Sequence, residues 1–68
     1  MTEKQLMDLM QELEKCNTLR LAISGRISKA REAGDLVTNK EYQDAKKDQE
    51  ANEERISEIT KLIRDAIT

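Results

Sequence analysis

The sequence predicts an all-α fold, an antiparallel two-helix coiled-coil hairpin, on three observations. Charged residues make up 38% of the 68 residues, and Pro, Phe and Trp are absent. Two long stretches repeat apolar residues at alternating spacings of three and four, which is the pattern of a coiled coil. Only a short glycine-containing break, residues 34–38, separates the two stretches. Because so short a connection cannot hold two helices apart, they must pack as antiparallel neighbours.

The first helix is predicted over about residues 3–33. Thr2 and Gln5 have the spacing of a capping box, in which both side chains bond to backbone N–H groups of the first turn. Gly34 should end the helix, because glycine readily takes the left-handed conformation found at helix C-termini. The seam, meaning the stripe that faces the other helix, is Leu6, Leu9, Leu13, Cys16, Arg20, Ile23, Ile27 and Ala30.

The second helix is predicted over about residues 39–67, so that the whole chain, 1–68, is one hairpin. Thr38 and Glu41 have the spacing of a second capping box, which makes Thr38 the predicted N-cap and Asn39 the first helical residue. The seam of this helix is Tyr42, Ala45, Gln49, Asn52, Ile56, Ile59, Ile63 and Ala66.

Folding the two seams together predicts the register of the hairpin. Cys16 comes to lie opposite Ile56, and Arg20 opposite Asn52 and Glu53. A polar layer is therefore expected across the seam, with Arg20 paired to Glu53, and such layers fix register at some cost in stability. Arms of about 30 residues give a hairpin about 45 Å long at a rise of 1.5 Å per residue.

Composition excludes several classes of function. With no His and one Cys, the chain has no Cys/His zinc site, no histidine general base and no internal disulfide. We therefore predict no enzyme and no cofactor of its own. A net charge of −2 argues against DNA recognition or membrane binding, and no apolar run approaches the roughly 18 residues of a membrane span. We expect a cytoplasmic protein, with Cys16 a reduced and inert core thiol.

The end of the hairpin far from the tip, called the base here, has more apolar residues than a two-stranded seam uses. Such a surplus predicts a docking or self-association surface for a second copy, another protein or a further domain. The residues of this predicted surface are Leu6, Met7, Met10, Leu62, Ile63 and Ile67.

The tip carries a more specific signal. The string Ala30-Arg31-Glu32-Ala33-Gly34-Asp35-Leu36-Val37-Thr38-Asn39-Lys40-Glu41-Tyr42 resembles the tip of the N-terminal coiled coil of the Gre transcript-cleavage factors of bacterial RNA polymerase. The similarity runs without gaps from about Ile27 to Leu62, whereas upstream only the heptad pattern agrees. Later positions that match the family pattern are Ala45, Lys46, Gln49, Glu54, Arg55 and Ile56.

The resemblance implies a mode of action. In this family the hairpin enters the secondary channel of the polymerase, where two tip carboxylates help to hold a second Mg²⁺ and the water that attacks backtracked RNA. Asp35 matches the first carboxylate, but the second falls at Thr38, which brings no charge. The resemblance thus predicts binding to bacterial RNA polymerase, Mg²⁺ shared with it, and weak or absent stimulation of cleavage. The predicted partner-binding tip is Gly34, Asp35, Leu36, Thr38, Asn39, Glu41 and Tyr42.

Simpler structural interpretations exist for most of these residues. Asp35 suits an ordinary turn after Gly34, and the ring of Tyr42 would cover Ala30 and Ile27 on the seam. Three basic residues near the tip either face RNA or are simply solvated. They are Lys29, Arg31 and Lys46.

Two interpretations of the whole chain are consistent with the sequence. Gre factors continue into a globular C-terminal domain, so one expectation is an isolated fragment of such a protein. The alternative is a standalone hairpin, of the kind a phage or mobile element carries. Such a hairpin would self-associate into a four-helix bundle, or bind another host protein, through its apolar base.

Overall fold

The computed structural model describes residues 1–34, 36 and 38–67, and these form two helices, α1 (Glu3–Glu32) and α2 (Lys40–Ile67). The helices pack against each other as an antiparallel hairpin with extents of 48 × 15 × 14 Å. The predicted fold is confirmed. The length agrees with the value of about 45 Å expected from the helical rise.

Both ends of α1 use the local devices that the sequence indicated. The Gln5 N–H donates to the Thr2 hydroxyl at 3.1 Å, and the Thr2 N–H donates to the Gln5 side-chain oxygen at 2.9 Å, which completes the capping box. At the other end, α1 ends at Glu32, one residue before the predicted bound of about 33, and Ala33 is the C-cap. Gly34 follows with a φ of +103°, so its predicted left-handed conformation is confirmed.

The two glycines should respond in opposite directions to alanine. Gly25 lies inside α1, where an added Cβ meets nothing within 4 Å, so Gly25→Ala should raise the free energy of unfolding by about 1 kcal/mol. Gly34 has a positive φ that alanine adopts only with strain, so Gly34→Ala should lower it by about 1 kcal/mol. Urea unfolding followed by circular dichroism measures both, and a change of the same sign for both would contradict the assignment.

The core is a single narrow seam between the helices. Ile23, Ile27 and Ala45 form a buried cluster, and the half-buried Tyr42 packs against it, as its position on the seam predicted. Cys16 is a buried free thiol, also as predicted. The buried residues described along the seam are Cys16, Ile23, Ile27, Ala30, Ala45, Asn52 and Ile59.

The polar layer in the seam differs from the prediction. The expected pair is present, because Arg20 donates from Nε and Nη2 to the two oxygens of Glu53 at 2.7 Å each. Arg20 itself is exposed, however, and the buried polar residue is Asn52. Its Nδ2 donates at 2.9 Å to the Cys16 carbonyl, which points along α1 toward Arg20 in the helical i to i+4 pattern. A polar layer at Asn52 and the Arg20–Glu53 pair are therefore confirmed, whereas the placement of Arg20 on the buried seam is wrong.

The reason lies in the reach of the two side chains. The short amide of Asn52 can bond only to backbone that lies directly against it, so it stays buried between the helices. The longer Arg20 passes along the flank of the hairpin and keeps its guanidinium near water. Among the described residues, every buried side-chain nitrogen or oxygen has a hydrogen-bond partner. The exposed position of Arg20 thus leaves no buried side-chain nitrogen or oxygen unpaired among the described residues.

Ion pairs join the helices along both flanks of the shaft. The hydrogen bond from Arg55 holds the pKa of Glu12 below its ordinary value, and the bond from Arg20 does the same for Glu53. The same contacts raise the pKa of each arginine. A further pair joins Arg26 to Asp48 at 2.8 Å. All of these side chains are partly exposed, so each pair contributes modestly and is screened by salt.

The lowered carboxyl pKa values predict acid sensitivity. Folded Glu12 and Glu53 release their protons at lower pH than in the unfolded chain, where the ordinary value is 4.5. The stability they add is therefore complete above that pH and is lost as the pH falls through the lower folded value. We expect the melting temperature to drop below about pH 4.5, and Glu53→Gln to reduce that drop. If acid lowers the melting temperature of Glu53→Gln as much as that of the unmodified chain, the Arg20–Glu53 pair does not contribute to the acid sensitivity.

Candidate functional site

The start of α2 is set by Asn39, not by Thr38. The Tyr42 N–H donates to Asn39 Oδ1 at 3.1 Å, and the Gln43 N–H donates to the Asn39 carbonyl at 3.1 Å. These are the side-chain and backbone bonds of an N-cap residue. The predicted N-cap, Thr38, lies in the turn before it and is exposed. The predicted capping box is therefore wrong, since the N3 position belongs to Tyr42 rather than to Glu41.

The other half of the Asn39 amide reaches the end of α1. Its Nδ2 donates to the Ala30 carbonyl at 2.9 Å. The Ala33 N–H donates to the same carbonyl at 3.2 Å, and the Gly34 N–H donates to the Arg31 carbonyl at 3.2 Å. One side chain thus joins the last turn of α1 to the first turn of α2, immediately behind the tip.

The predicted tip residues occupy different environments. Leu36 and Thr38 are exposed, as is Gly34, and Glu41 is exposed on the first turn of α2. Tyr42 is half-buried against the seam, so most of its ring is used for packing. Asp35, the predicted carboxylate ligand, lies outside the described residues, as do Val37 and Thr68. Elsewhere in the described chain, no three His, Cys, Asp or Glu side chains are grouped closely enough to hold a metal ion.

One flank of the tip forms a shallow groove of mixed charge. Sequence reasoning missed it, because its residues come from both helices and share no motif. The residues that line the groove are Arg26, Lys29, Ala33, Glu41 and Asp44. Carboxylates of α2 therefore stand beside basic side chains of α1, and this flank has no excess of positive charge.

The three basic residues predicted to face RNA do not form one patch. Lys29 lines the groove beside Glu41 and Asp44. Arg31 is two residues further along α1, about 200° around the helix, and projects from a different side. Lys46 donates from Nζ to Gln49 Oε1 at 3.1 Å. The helical repeat separates residues that are close together in sequence.

At the base, the structure divides the predicted apolar surface. Leu6 and Ile63 are half-buried in the seam, whereas Met7 and Met10 are exposed. Leu62 and Ile67 are 44% and 68% exposed, and five residues of helix set them about 140° apart, on either side of the seam. Leu19 and Leu21, which sequence reasoning did not single out, are also exposed. The exposed apolar residues of α2 thus lie on two sides of the seam rather than on one face.

Together these features define a class of protein. It is a slender helical hairpin with a short tip, and the Asn39 side chain joins its two helix ends just behind that tip. The family described as "Transcription elongation factor, N-terminal" matches residues 1–67. The chain belongs to this family, and the predicted resemblance to Gre factors is confirmed. No described helix is long and apolar enough to cross a membrane.

Two relatives, both longer than this chain, show the extent of the similarity. It is 48% identical over 63 residues to transcription elongation factor GreA of Lachnoclostridium phytofermentans, which covers 93% of this chain and 38% of the relative. It is 42% identical over 67 residues to GreA of Bacillus velezensis, covering 97% of this chain and 43% of that protein. The chain therefore spans about two fifths of the length of the relatives it matches. No solved structure matches it significantly.

Proposed function

We propose that this chain is a Gre-like module that binds bacterial RNA polymerase in its secondary channel, in the cytoplasm, and modulates transcription elongation with weak or absent stimulation of RNA cleavage. The observation that carries the proposal is the family match over residues 1–67, which includes the whole tip. Relatives that share the tip and both helices are transcription elongation factors by name.

The shape of the molecule supports entry into a narrow channel. The hairpin is 48 Å long and only 15 × 14 Å across. The buried seam holds its two helices together, and ion pairs join them along the flanks. An exposed tip on a thin, braced rod suits a protein that acts at the bottom of a channel.

The chemistry of the tip supports a regulator more than a catalyst. Asp35 would supply one carboxylate to Mg²⁺ held mainly by the polymerase, since hard oxygen ligands suit this ion. Thr38 supplies no charge at the second matching position, so a second metal would be held weakly. The described residues form no nucleophile–base pair, and the module would act only through the active site of its partner.

A competition experiment tests this proposal. The chain should displace a labelled intact Gre factor from core RNA polymerase. Asp35→Lys should weaken displacement at least about tenfold, since a like charge set against a bound cation costs several kcal/mol. Asp65→Lys makes the same charge change on an exposed residue of α2 at the base and should have little effect.

Two results would overturn the proposal. Equal loss with Asp35→Lys and Asp65→Lys would show that net charge, not the tip, controls displacement. Failure of the chain to displace the Gre factor, even when fused to a globular Gre C-terminal domain, would show that the resemblance is structural only.

The exposed base favours a second candidate function, an interaction hairpin that self-associates or binds another host protein. Met7, Met10, Leu62 and Ile67 leave apolar area open on both sides of the seam. Association through this area would make the melting temperature rise with protein concentration, and Met10→Glu would remove that rise. A melting temperature independent of concentration would count against self-association.

A further inference from the structure

Two helix ends meet at the tip, and each brings backbone groups without partners in its own helix. The last carbonyls of α1 take donors, and the first N–H groups of α2 take acceptors, from outside the regular helix. The Ala30 carbonyl accepts from the Ala33 N–H at 3.2 Å as well as from Asn39. The amide of Asn39 serves both sets. Its Oδ1 accepts from the Tyr42 N–H at 3.1 Å, and its Nδ2 donates to the Ala30 carbonyl at 2.9 Å.

This pair of bonds suits an amide side chain. Ser, Thr and Asp cap helices well, but ionised Asp offers acceptors alone, and Ser or Thr would have to accept and donate at one hydroxyl oxygen. Asn has an acceptor and a donor at opposite sides of one planar group. In this hairpin the acceptor is directed at α2 and the donor at α1.

The bond to Ala30 is anchored in the core. Ala30 is buried on the seam, and Asn39 is itself half-buried between the helix ends. The bond from Asn39 to Ala30 therefore fixes the end of α1 relative to the start of α2, and these are the two points that residues 34–38 connect. An N-cap bond alone would fix only the second of these points.

We propose that Asn39 is a positioning residue, which orients the tip loop for the polymerase rather than contacting it. This inference rests on the proposed function for its binding readout. Loss of the Nδ2 donor should leave both helices formed and the N-cap bond available. It should also remove the bond that joins the two helix ends behind the tip, so that binding weakens while the shaft stays folded.

The test removes the donor and keeps the acceptor. Asn39→Asp leaves oxygens for the Tyr42 N–H and, when ionised, has no donor for the Ala30 carbonyl. Asn39→Ser also keeps a capping oxygen, but its single, shorter hydroxyl replaces an oxygen and a nitrogen that lie at separate positions. Asn52→Ser is the matched control, because Asn52 makes the same kind of bond, Nδ2 to the Cys16 carbonyl at 2.9 Å, in the middle of the shaft. Glu53→Gln, which weakens an exposed interhelix contact, is a second control should Asn52→Ser unfold.

Displacement of a labelled Gre factor from core polymerase is measured at a temperature where circular dichroism shows every variant fully helical. We expect both Asn39 variants to compete about tenfold less well, the effect of one lost hydrogen bond of about 1.4 kcal/mol. The control variants should compete as the unmodified chain does, because a fully folded population carries no affinity penalty. Equal competition by the Asn39 variants and the unmodified chain would overturn the inference, and so would an equal loss in the controls.

A second measurement does not depend on the polymerase. In amide NMR spectra, Asn39→Ser should move the resonances of Gly34 and its neighbours in the tip and leave those of the shaft in place. Asn52→Ser should do the reverse. If the unmodified chain does not displace the Gre factor, the proposed function fails. The NMR spectra then test, without the polymerase, whether Asn39 positions the tip. Unchanged tip resonances in Asn39→Ser would overturn the positioning role.

Discussion

Thr38→Glu should convert the chain into a stimulator of RNA cleavage by bacterial RNA polymerase. The substitution places a carboxylate at the position that matches the second carboxylate of Gre factors. A charged ligand for the second Mg²⁺ should raise the cleavage rate of a backtracked complex about tenfold to a hundredfold, since metal ions contribute several kcal/mol to such reactions. Shortening of labelled RNA in a stalled complex measures this rate.

The structure shows that this substitution is compatible with the fold. Because Asn39 caps α2, replacing Thr38 removes no cap, and the exposed position has room for a longer side chain. A negative charge just before the first turn of a helix is also favourable to its dipole. Had Thr38 been the N-cap, the same change would cost about 1 kcal/mol of stability.

Two controls separate ligand charge from other effects of Thr38→Glu. Thr38→Gln has the same shape without the charge, and Thr60→Glu adds the same charge to an exposed position on α2. Neither should stimulate cleavage. Stimulation by Thr38→Gln would mean that the charge is irrelevant. No stimulation by Thr38→Glu, in a chain that still competes for the polymerase, would show that this tip cannot complete the metal site.

Ile59→Ala should unfold most of the hairpin. Ile59 is 0% exposed at the base of the seam, and truncating a buried isoleucine to alanine costs about 2–5 kcal/mol. A single core in a chain of this size supplies roughly 3–5 kcal/mol in total, so little stability would remain. The expected result is a large loss of helical circular dichroism at 25 °C, recovered by a stabilising osmolyte.

Leu62→Ala is the matched control for Ile59→Ala. Leu62 lies one turn away on α2 but is 44% exposed, so its truncation should change the free energy of unfolding by less than about 1 kcal/mol. Equal losses for the two variants would mean that Leu62 is covered in solution, as the self-association alternative requires. A small loss for Ile59→Ala would show that the seam is not the source of stability.

The architecture follows from features that act over a few residues, and these are readable from sequence. The three–four spacing of the seams depends only on the helical repeat, the Thr2–Gln5 box only on one turn, and the positive φ of Gly34 only on its lack of a Cβ. The Gre-like string at the tip likewise identified the family without any coordinates.

The fine structure of the tip depends on which groups meet across the hairpin. Thr38 and Asn39 are both good N-caps, so local preference cannot choose between them. The choice falls to Asn39 because its amide alone can also bond to the Ala30 carbonyl, a group 9 residues away in sequence. In the same way, Asn52 can be buried in the seam because the Cys16 carbonyl of the other helix accepts a hydrogen bond from its amide. Sequence therefore determined that a hairpin forms and which family it belongs to. Tertiary structure decided which polar side chains join its helices, because such bonds form only between groups that packing has already brought together.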